Sequence, residues 1–164
     1  MPELTGTHKI GHMDAVVVRT DYTDEAAWHV VRSALVGPTD FDEPTPFVVD
    51  DPVWSGAGAQ EVLAAVAADE YLSEYLSSVF IADRTTMRGR HHAFLAVTTV
   101  TRETYEDDED FEATTKFGRE FRTEPRGVHE IHANLELANM GFEDFSSSAH
   151  DDPEKVFRPS WGPR

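Results

Sequence analysis

The chain has 164 residues, with 31 acidic and 14 basic side chains and a formal net charge of −17 at pH 7, and this length suits one domain with a single core. It contains no Cys, which excludes a disulfide scaffold, a thiolate metal site and a Cys nucleophile. The acidic charge also makes nucleic acid and anionic membranes unsuitable partners, whereas a basic protein would be attracted.

The start of the chain divides into an arm and the first elements of a domain. Residues 1–13 are predicted to form a loose, polar N-terminal arm, and residues 14–164 are predicted to form a single domain. The apolar run at 14–20 indicates a strand that is buried on both faces. A helix is expected to follow, with Thr23 as its cap and Trp28 in its apolar stripe.

The middle of the chain alternates short strands with a helix. Strands are predicted at 47–49 and 79–82, and a helical segment at 59–78 separates them. The β-branched and apolar residues at 93–101 predict a fourth strand. The acidic run at 106–112 is expected to be a solvated loop or a frayed connection, because so many like charges cannot pack together.

The last third of the chain predicts one more strand and a long helix. Residues 116–123 are expected to add an edge strand, and Pro125 is expected to begin a helix that buries Ile131 and Leu135. The alternation of strands and helices predicts an α/β fold, with a mainly parallel sheet, flanking helices and antiparallel additions from the later strands. The strand order stays open at this point.

The most specific pattern is the run Asn-Leu-Glu-Leu-Ala-Asn-Met-Gly-Phe-Glu-Asp-Phe at residues 134–145. It resembles the C-terminal signature of a family of small, uncharacterised actinobacterial proteins that form a domain of unknown function. Shorter segments similar to that family lie at 18–21, 82–84, 121–125 and 157–158. The resemblance implies a shared fold and supplies positions to test, but it implies no reaction.

Some residues of this resemblance are interpreted as architecture, namely Trp28, Asn139, Met140, Phe142 and Phe145. Asn139 is expected to adopt the left-handed conformation that ends a helix, or to cap the next helix. The other four side chains are expected to lie in the core, where large apolar side chains contribute most.

Polar residues of the same resemblance form a candidate site, which comprises Arg19, Asp21, Asp83, Arg122, Asn134 and Arg158. Most of them follow predicted strands, and ligands of open α/β sheets usually bind beyond the carboxyl ends of the strands. Two interpretations are open. The residues form either internal salt bridges that attach the C-terminus to the sheet, or a binding or catalytic site.

Metal and cofactor chemistry has little support in the sequence. His129, His132 and Glu136 lie on one flank of the last long helix and could converge on one ion, but a structural zinc usually has four ligands. We therefore predict no metal. A phosphate-binding loop, a Gly-rich dinucleotide turn and a nucleophile elbow are all missing from the sequence, so we predict no cofactor and assign no catalytic residue.

Three functional hypotheses follow. The leading one is a cytoplasmic, acidic protein that binds a protein partner, as an accessory or immunity-type protein for a basic partner. The cytoplasmic location is expected because the chain has no Cys and no apolar segment near its start. The second hypothesis is an enzyme or small-ligand binder that uses the Asp/Arg cluster at the carboxyl edge of the sheet. The third is a component of a larger assembly.

Overall fold

The structure, a computed structural model, describes residues 3–4, 6–36 and 45–159. The strands are β1 (Val16–Arg19), β2 (Phe47–Val49), β3 (Ser78–Ala82), β4 (Phe94–Thr98), β5 (Glu120–Thr123) and β6 (Val156–Phe157). The helices are α1 (Glu25–Val36), α2 (Ala59–Ala68), α3 (Leu72–Tyr75), α4 (Arg84–Arg88), α5 (Asp108–Thr114), α6 (Gly127–Glu136) and α7 (Phe142–Asp151). Within the described ranges, no helix has the length and apolar character needed to cross a membrane.

The six strands form one mixed sheet in the order β2-β1-β3-β4-β5-β6. β1 pairs in parallel with β2 and β3, and β5 pairs in parallel with β6, whereas β4 is antiparallel to β3 and β5. The α/β fold is confirmed, but the sheet is only partly the parallel sheet that the sequence predicts. The connection from β3 to β4 contains only the five-residue α4, which is too short for a parallel crossover.

The strand directions give the sheet two different ends. β1, β2, β3, β5 and β6 all terminate at one end, which we call the carboxyl edge, and β4 terminates at the opposite end, the amino edge. β1 lies between β2 and β3. The chain therefore passes from β1 to β2 in one direction across the sheet and then returns past β1 to form β3. In open α/β folds this is the place where ligands usually bind.

Helices cover the sheet on both faces and create two apolar cores. Alternate strand residues such as Val17, Phe80 and Phe94 face α1, α6 and α7 on the first face. Their neighbours, such as Val16 and Val79, face α2 and α3 on the second face. This alternation explains why β1 is apolar at every position, since a strand that is buried on both faces has no polar side.

The described part of the N-terminal arm is packed against the second face. Leu4 and Ile10 are 7% and 3% exposed and belong to the second core. Tyr71 Oη donates to the carbonyl of Ile10 at 2.5 Å, and Thr7 Oγ1 donates to Asp69 Oδ2 at 2.7 Å. The prediction of a loose arm over residues 1–13 does not hold for this part, because its two apolar side chains supply a hydrophobic anchor.

Hydrogen bonds at helix ends account for two further differences. Asp24, rather than the predicted Thr23, caps α1, since its Oδ1 accepts from the amide of Ala27 at 3.0 Å. The acidic run predicted as a loop contains α5, which begins where Asp107 Oδ1 accepts from the amide of Asp110 at 2.8 Å. Acidic residues in the first turn suit the helix macrodipole, so this charge run favours a helix start.

The position of β5 also differs from the prediction. The sequence predicts an edge strand at 116–123, but β5 covers only Glu120–Thr123 and lies between β4 and β6. β6 is the edge strand, and its two residues pair with Arg122 and Thr123. A strand of two residues carries too little pattern to be recognised in a sequence.

Close packing joins α6 to the end of β5. A Cβ atom added to Gly127 would lie 2.2 Å from Thr123 Oγ1 and 3.0 Å from the Phe157 ring. Thr123 is completely buried, so its side chain has no room to move away. Gly127 therefore sets how closely the first turn of α6 approaches β5 and β6.

Candidate functional site

The carboxyl edge carries most of the polar residues that the sequence singles out: Arg19, Asp21, Asp83, Arg122 and Arg158. The sixth, Asn134, lies apart in α6, where its Nδ2 donates to the carbonyl of Glu130 at 2.8 Å. The residues at the edge do not form one cluster. Their side chains belong to separate groups of interactions along the sheet.

Arg19 is held by two ion pairs and two aromatic rings. Its side chain is 3% exposed, and its guanidinium donates to Glu25 Oε1 at 2.6 Å and to Asp50 Oδ1 at 3.2 Å. The guanidinium carbon lies 4.0 Å from the centroid of the Tyr22 ring and 4.8 Å from that of Trp28. Arg19 therefore joins α1 to the ends of β1 and β2 and has no free donor face for a ligand.

Asp83 and Arg122 form a two-pronged ion pair across the end of the sheet. Arg122 Nη1 and Nη2 donate to Asp83 Oδ1 and Oδ2, each at 2.8 Å. Asp83 also caps α4, since Oδ1 accepts from the amide of Thr86 at 3.1 Å. Burial raises the pKa of Asp83, but the hydrogen bond and charge of Arg122 bring it below its usual value. This pair attaches β5 to the start of α4.

Arg158 connects the last strand to its surroundings. Its Nε donates to Asp152 Oδ1 at 2.9 Å and its Nη1 donates to Glu124 Oε1 at 3.1 Å. A weaker contact of 3.3 Å reaches Glu154 Oε1. The hydrogen bond from Arg158 lowers the pKa of Asp152 to about 2. Arg158 thus links the residue after β6 to the ends of α7 and β5, as the salt-bridge interpretation expects.

Asp21 differs from these residues because only half of its carboxylate is paired. The residue is 7% exposed, and Oδ1 accepts from the amide and the hydroxyl of Thr23 at 3.0 and 2.7 Å. Oδ2 is buried and has no hydrogen-bond partner in the described chain. Burial raises the pKa of Asp21, but Thr23 and the nearby charges of Arg84 and Arg88 bring it below its usual value. The carboxylate is therefore ionised at neutral pH.

At the amino edge, α6 ends in a Schellman motif within the segment that carries the family resemblance. The amide of Asn139 donates to the carbonyl of Asn134 at 3.0 Å, and that of Ala138 donates to Leu135 at 3.2 Å. Ala138 adopts the left-handed conformation, with φ of 55°. The interpretation that Asn139 adopts this conformation is therefore wrong, and the cap of α7 is provided by Asp144 Oδ2, which accepts from the amide of Gly141.

The apolar side chains of the same segment divide between core and surface. Phe142 and Phe145 are 4% and 1% exposed and contact other aromatic rings of the first core. Met140, which was expected in the core, is 39% exposed, and Leu137 is 59% exposed. The loop between α6 and α7 therefore presents two apolar side chains to solvent.

Two adjoining clefts lie at the amino edge. One has a volume of about 590 Å³ and lies between α2, α3 and the segment after β4. The other has a volume of about 410 Å³ and includes Tyr105, Leu135, Met140 and the start of α7 in its wall. Ser77 and Val100 line both clefts. The two clefts therefore adjoin at these residues, and we call the pair, which lies beside the exposed loop, the groove.

The histidine pair on α6 does not form a metal site with Glu136. His132 is fully buried, and its Nε2 donates to the carbonyl of His12 at 2.7 Å. Burial lowers the pKa of His132 and raises that of Glu136. In the described part of the chain, no three His, Cys, Asp or Glu side chains are grouped so that they could hold an ion. His132 instead fixes the N-terminal arm against α6.

Several residues of these sites had no usable signal in the sequence. Ser77 and Val100 are far apart in the chain, and only the fold brings them to one groove. Arg84 and Arg88 were also missed, although a signal existed. They are four residues apart directly after Asp83, which places both on one flank of a short helix.

Comparison with known proteins gives one match. The model of a family described as a domain of unknown function, DUF6924, matches residues 14–160. No curated protein and no solved structure matches the chain. The family match covers the whole sheet and both of its edges, but it brings no reaction, ligand or partner with it.

Proposed function

Because the chain belongs to the DUF6924 family, whose domain has no known function, we propose a function from its geometry: it binds a basic, extended segment of a protein partner at the amino edge. The observation that carries this proposal is the groove formed by the two adjoining clefts beside exposed Leu137 and Met140. In this proposal the protein is an accessory or immunity-type protein of the cytoplasm, as the sequence predicts.

The shape of the groove supports an extended occupant. The clefts of about 590 and 410 Å³ meet at Ser77 and Val100, and apolar side chains such as Leu63 and Leu135 line their walls. Protein interfaces concentrate their binding energy in a few apolar anchors that enter such pockets. Leu137 and Met140 would add exposed apolar surface that becomes buried when the partner binds.

The charge around the groove supports a basic occupant. Glu74 lines the larger cleft together with one basic residue, Arg119, and Glu143 and Asp144 line the smaller cleft. α5, with four acidic residues at Asp108, Glu109, Asp110 and Glu112, lies against α7. Complementary charge accelerates association and selects the partner, so the net charge of −17 favours a cationic segment over a neutral one.

A site-specific crosslinking experiment tests the proposal. A photoreactive amino acid replaces Leu137 or Met140 in the native host, and adducts are identified by mass spectrometry. We expect an adduct with one basic protein, and we expect its yield to fall as the salt concentration rises. The matched controls place the same amino acid at Val30 and Val53, which are 54% and 57% exposed in other elements.

The outcomes separate the hypotheses. Equal adducts from Val30 and Leu137 would show nonspecific contact and would contradict the proposal. An adduct between two copies of this chain would favour the hypothesis of a larger assembly. With the partner in hand, Leu137→Ser combined with Met140→Ser should weaken binding at least about tenfold, and Val30→Ser should leave it unchanged.

A further inference from the structure

We propose that the carboxyl edge between β1 and β3 binds a small phosphate monoester that carries a neighbouring hydroxyl group. Arg84 and Arg88 would contact the phosphate, and Asp21 would accept a hydrogen bond from the hydroxyl. This site lies at the edge of the sheet opposite the groove, so it does not depend on the proposed protein partner.

The position between β1 and β3 is the first argument. β1 and β3 are adjacent parallel strands whose register pairs Arg19 with Ala82, so the residues that follow the two strands lie side by side at the carboxyl edge, where α4 packs against α1 on the first face. Asp21 follows β1 and Arg84 opens α4 directly after β3. Ligands of open α/β sheets usually bind beyond the carboxyl ends of the strands.

The second argument is that Arg84 and Arg88 have no ion-pair partner among the described residues of a very acidic protein. The arginines that form ion pairs are Arg19, Arg32, Arg90, Arg102, Arg122, Arg126 and Arg158. Arg84 and Arg88 are exposed and form no hydrogen bond or ion pair with another described residue. Within the described residues, these two arginines, one helical turn apart on α4, therefore leave their guanidinium groups available to an anion.

The third argument is the unpaired oxygen of Asp21. Its Oδ1 is satisfied by Thr23, but Oδ2 is buried without a partner in the described chain. A buried acceptor that lacks a donor costs free energy. The pairing of Arg19 with Ala82 across β1 and β3 places Asp21 near the start of α4, which carries both arginines. A hydroxyl group of the ligand would supply the missing donor.

The combination of groups selects the ligand class. One arginine can satisfy a carboxylate through two parallel hydrogen bonds, whereas a phosphate dianion has three terminal oxygens and accepts from two guanidinium groups. A hydroxyl donor suits Asp21, because a carboxylate only accepts hydrogen bonds. A phosphate monoester of a polyol satisfies both requirements.

The test is an NMR titration of the whole chain with two probes. Glycerol 3-phosphate carries hydroxyl groups beside its phosphate ester, and methyl phosphate carries none. We expect both to shift the signals of residues 20–23 and 84–88, with tighter binding of glycerol 3-phosphate. Arg84→Gln combined with Arg88→Gln should weaken both probes at least about tenfold. Asp21→Asn should remove the preference for glycerol 3-phosphate and keep the binding of methyl phosphate.

The control is Arg90→Gln combined with Arg102→Gln, which removes the same charge from two exposed arginines that are paired with Glu154 and Asp108. This variant should bind both probes like the wild type. Equal weakening in the control, or shifts scattered over the whole surface, would show a general charge effect and overturn the proposal. Binding without preference for glycerol 3-phosphate would overturn the role of Asp21. If Asp21→Asn fails to fold, the arginine variants still decide the phosphate site.

Discussion

Single side chains at the carboxyl edge show how a buried charge is made tolerable. Arg19 lies in the interior with two carboxylates at its donors and two rings on its faces. The aromatic faces attract the cation, and the carboxylates replace the hydrogen bonds that water would make. Trp28 therefore has two roles, because it fills the first core and also covers the guanidinium.

Arg19→Lys should be destabilising although it keeps the charge. Lysine has no planar group to stack between Tyr22 and Trp28 and cannot donate in two directions with the same geometry. We expect a loss of about 2–3 kcal/mol in the free energy of unfolding, measured by urea denaturation. Arg32→Lys is the control, because the Arg32 side chain is 53% exposed and its ion pair with Asp50 is long, at 3.9 Å. A similar loss in both variants would show that the loss does not arise from the stacking and paired hydrogen bonds that are specific to Arg19.

Ala138→Gly should be stabilising. Ala138 holds φ at 55°, and the left-handed conformation costs a residue with a Cβ atom about 1–2 kcal/mol, whereas glycine adopts it freely. We expect a gain of about 1 kcal/mol in thermal or urea denaturation. The matched control is Ala133→Gly inside α6, which should lose about 1 kcal/mol. Destabilisation by both changes would mean that the methyl group of Ala138 makes a needed contact.

His132 should make stability depend on pH. Its folded-state pKa is lowered by burial, so the unfolded chain takes up a proton at a higher pH than the folded chain. Stability is therefore fully present above the usual histidine pKa and falls as the pH decreases through about 6.5 towards the lowered value. Comparison of wild type with His132→Gln between pH 8 and about 5 should show a flatter profile in the variant. Parallel profiles would contradict this role.

Helices and strands in this protein meet through specific close contacts as well as through apolar stripes. Gly127 in the first turn of α6 lies against Thr123 of β5 and Phe157 of β6. Helix propensity alone would favour alanine at this position by about 1 kcal/mol. The packing of α6 on two strands overrides that preference, because a methyl group would overlap a side chain that is fully buried.

Gly127→Ala should lower stability by about 1–3 kcal/mol, because overpacking forces the backbone or the buried side chains to shift. Part of this loss should disappear when Thr123→Ala removes the hydroxyl at 2.2 Å. A double-mutant cycle measured by urea denaturation should therefore give a coupling of about 1 kcal/mol between the two positions. Additive effects would show that the contact with Phe157, and not Thr123, limits the approach.

The long, periodic elements could be predicted from the sequence, and the elements defined by distant partners could not. The buried strands β1, β2, β3 and β4 and the amphipathic α1 and α6 agree with their patterns because burial determines those residues. β6 has two residues, and its pairing with Arg122 and Thr123 produces no recognisable pattern in the nearby sequence. The repulsion in the acidic run predicts a loop, but the cap that Asp107 provides allows α5 to form there.

The candidate site was predictable in its parts but not in its grouping. The position of Arg19, Asp83 and Arg122 at strand ends follows from the strand pattern. The ion-pair partners of these residues do not follow from the strand pattern. Arg19 pairs with Glu25 and Asp50, whereas Arg122 pairs with Asp83. Side-chain pairing depends on strand order, and the order in which β4 separates β3 from β5 has no signature in one sequence.

The molecule as a whole carries a large excess of negative charge. With 31 acidic and 14 basic side chains, and many of the bases already in ion pairs, the remaining carboxylates repel one another in the folded state. Such self-repulsion destabilises a compact protein while it favours solubility. The same charge explains why a cationic segment is the best match for the groove at the amino edge.

Added salt should therefore stabilise the protein. The Debye length falls from about 30 Å at 0.01 M salt to about 8 Å at 0.15 M, so the repulsion between distant carboxylates weakens. The melting temperature should therefore rise with NaCl over this range. Glu109→Gln combined with Glu112→Gln removes two exposed charges of α5 and leaves the cap at Asp107 and the ion pair at Asp108 intact. The variant should be at least as stable as wild type in low salt and should respond less to NaCl. A fall in melting temperature with salt would mean that the ion pairs outweigh the repulsion.

The division of the first core between the two ends of the chain has a consequence for synthesis on the ribosome. Trp28, Phe80 and Phe94 are made early, but Ile131 of α6 and Phe145 of α7, which pack in the same core, are made late. A ribosome adds about 5–20 residues per second, so the nascent sheet exposes these rings for several seconds before α6 and α7 emerge. Newborn chains should therefore be natural clients of ribosome-associated chaperones, and an early stop codon before α6 should yield aggregates instead of a smaller domain.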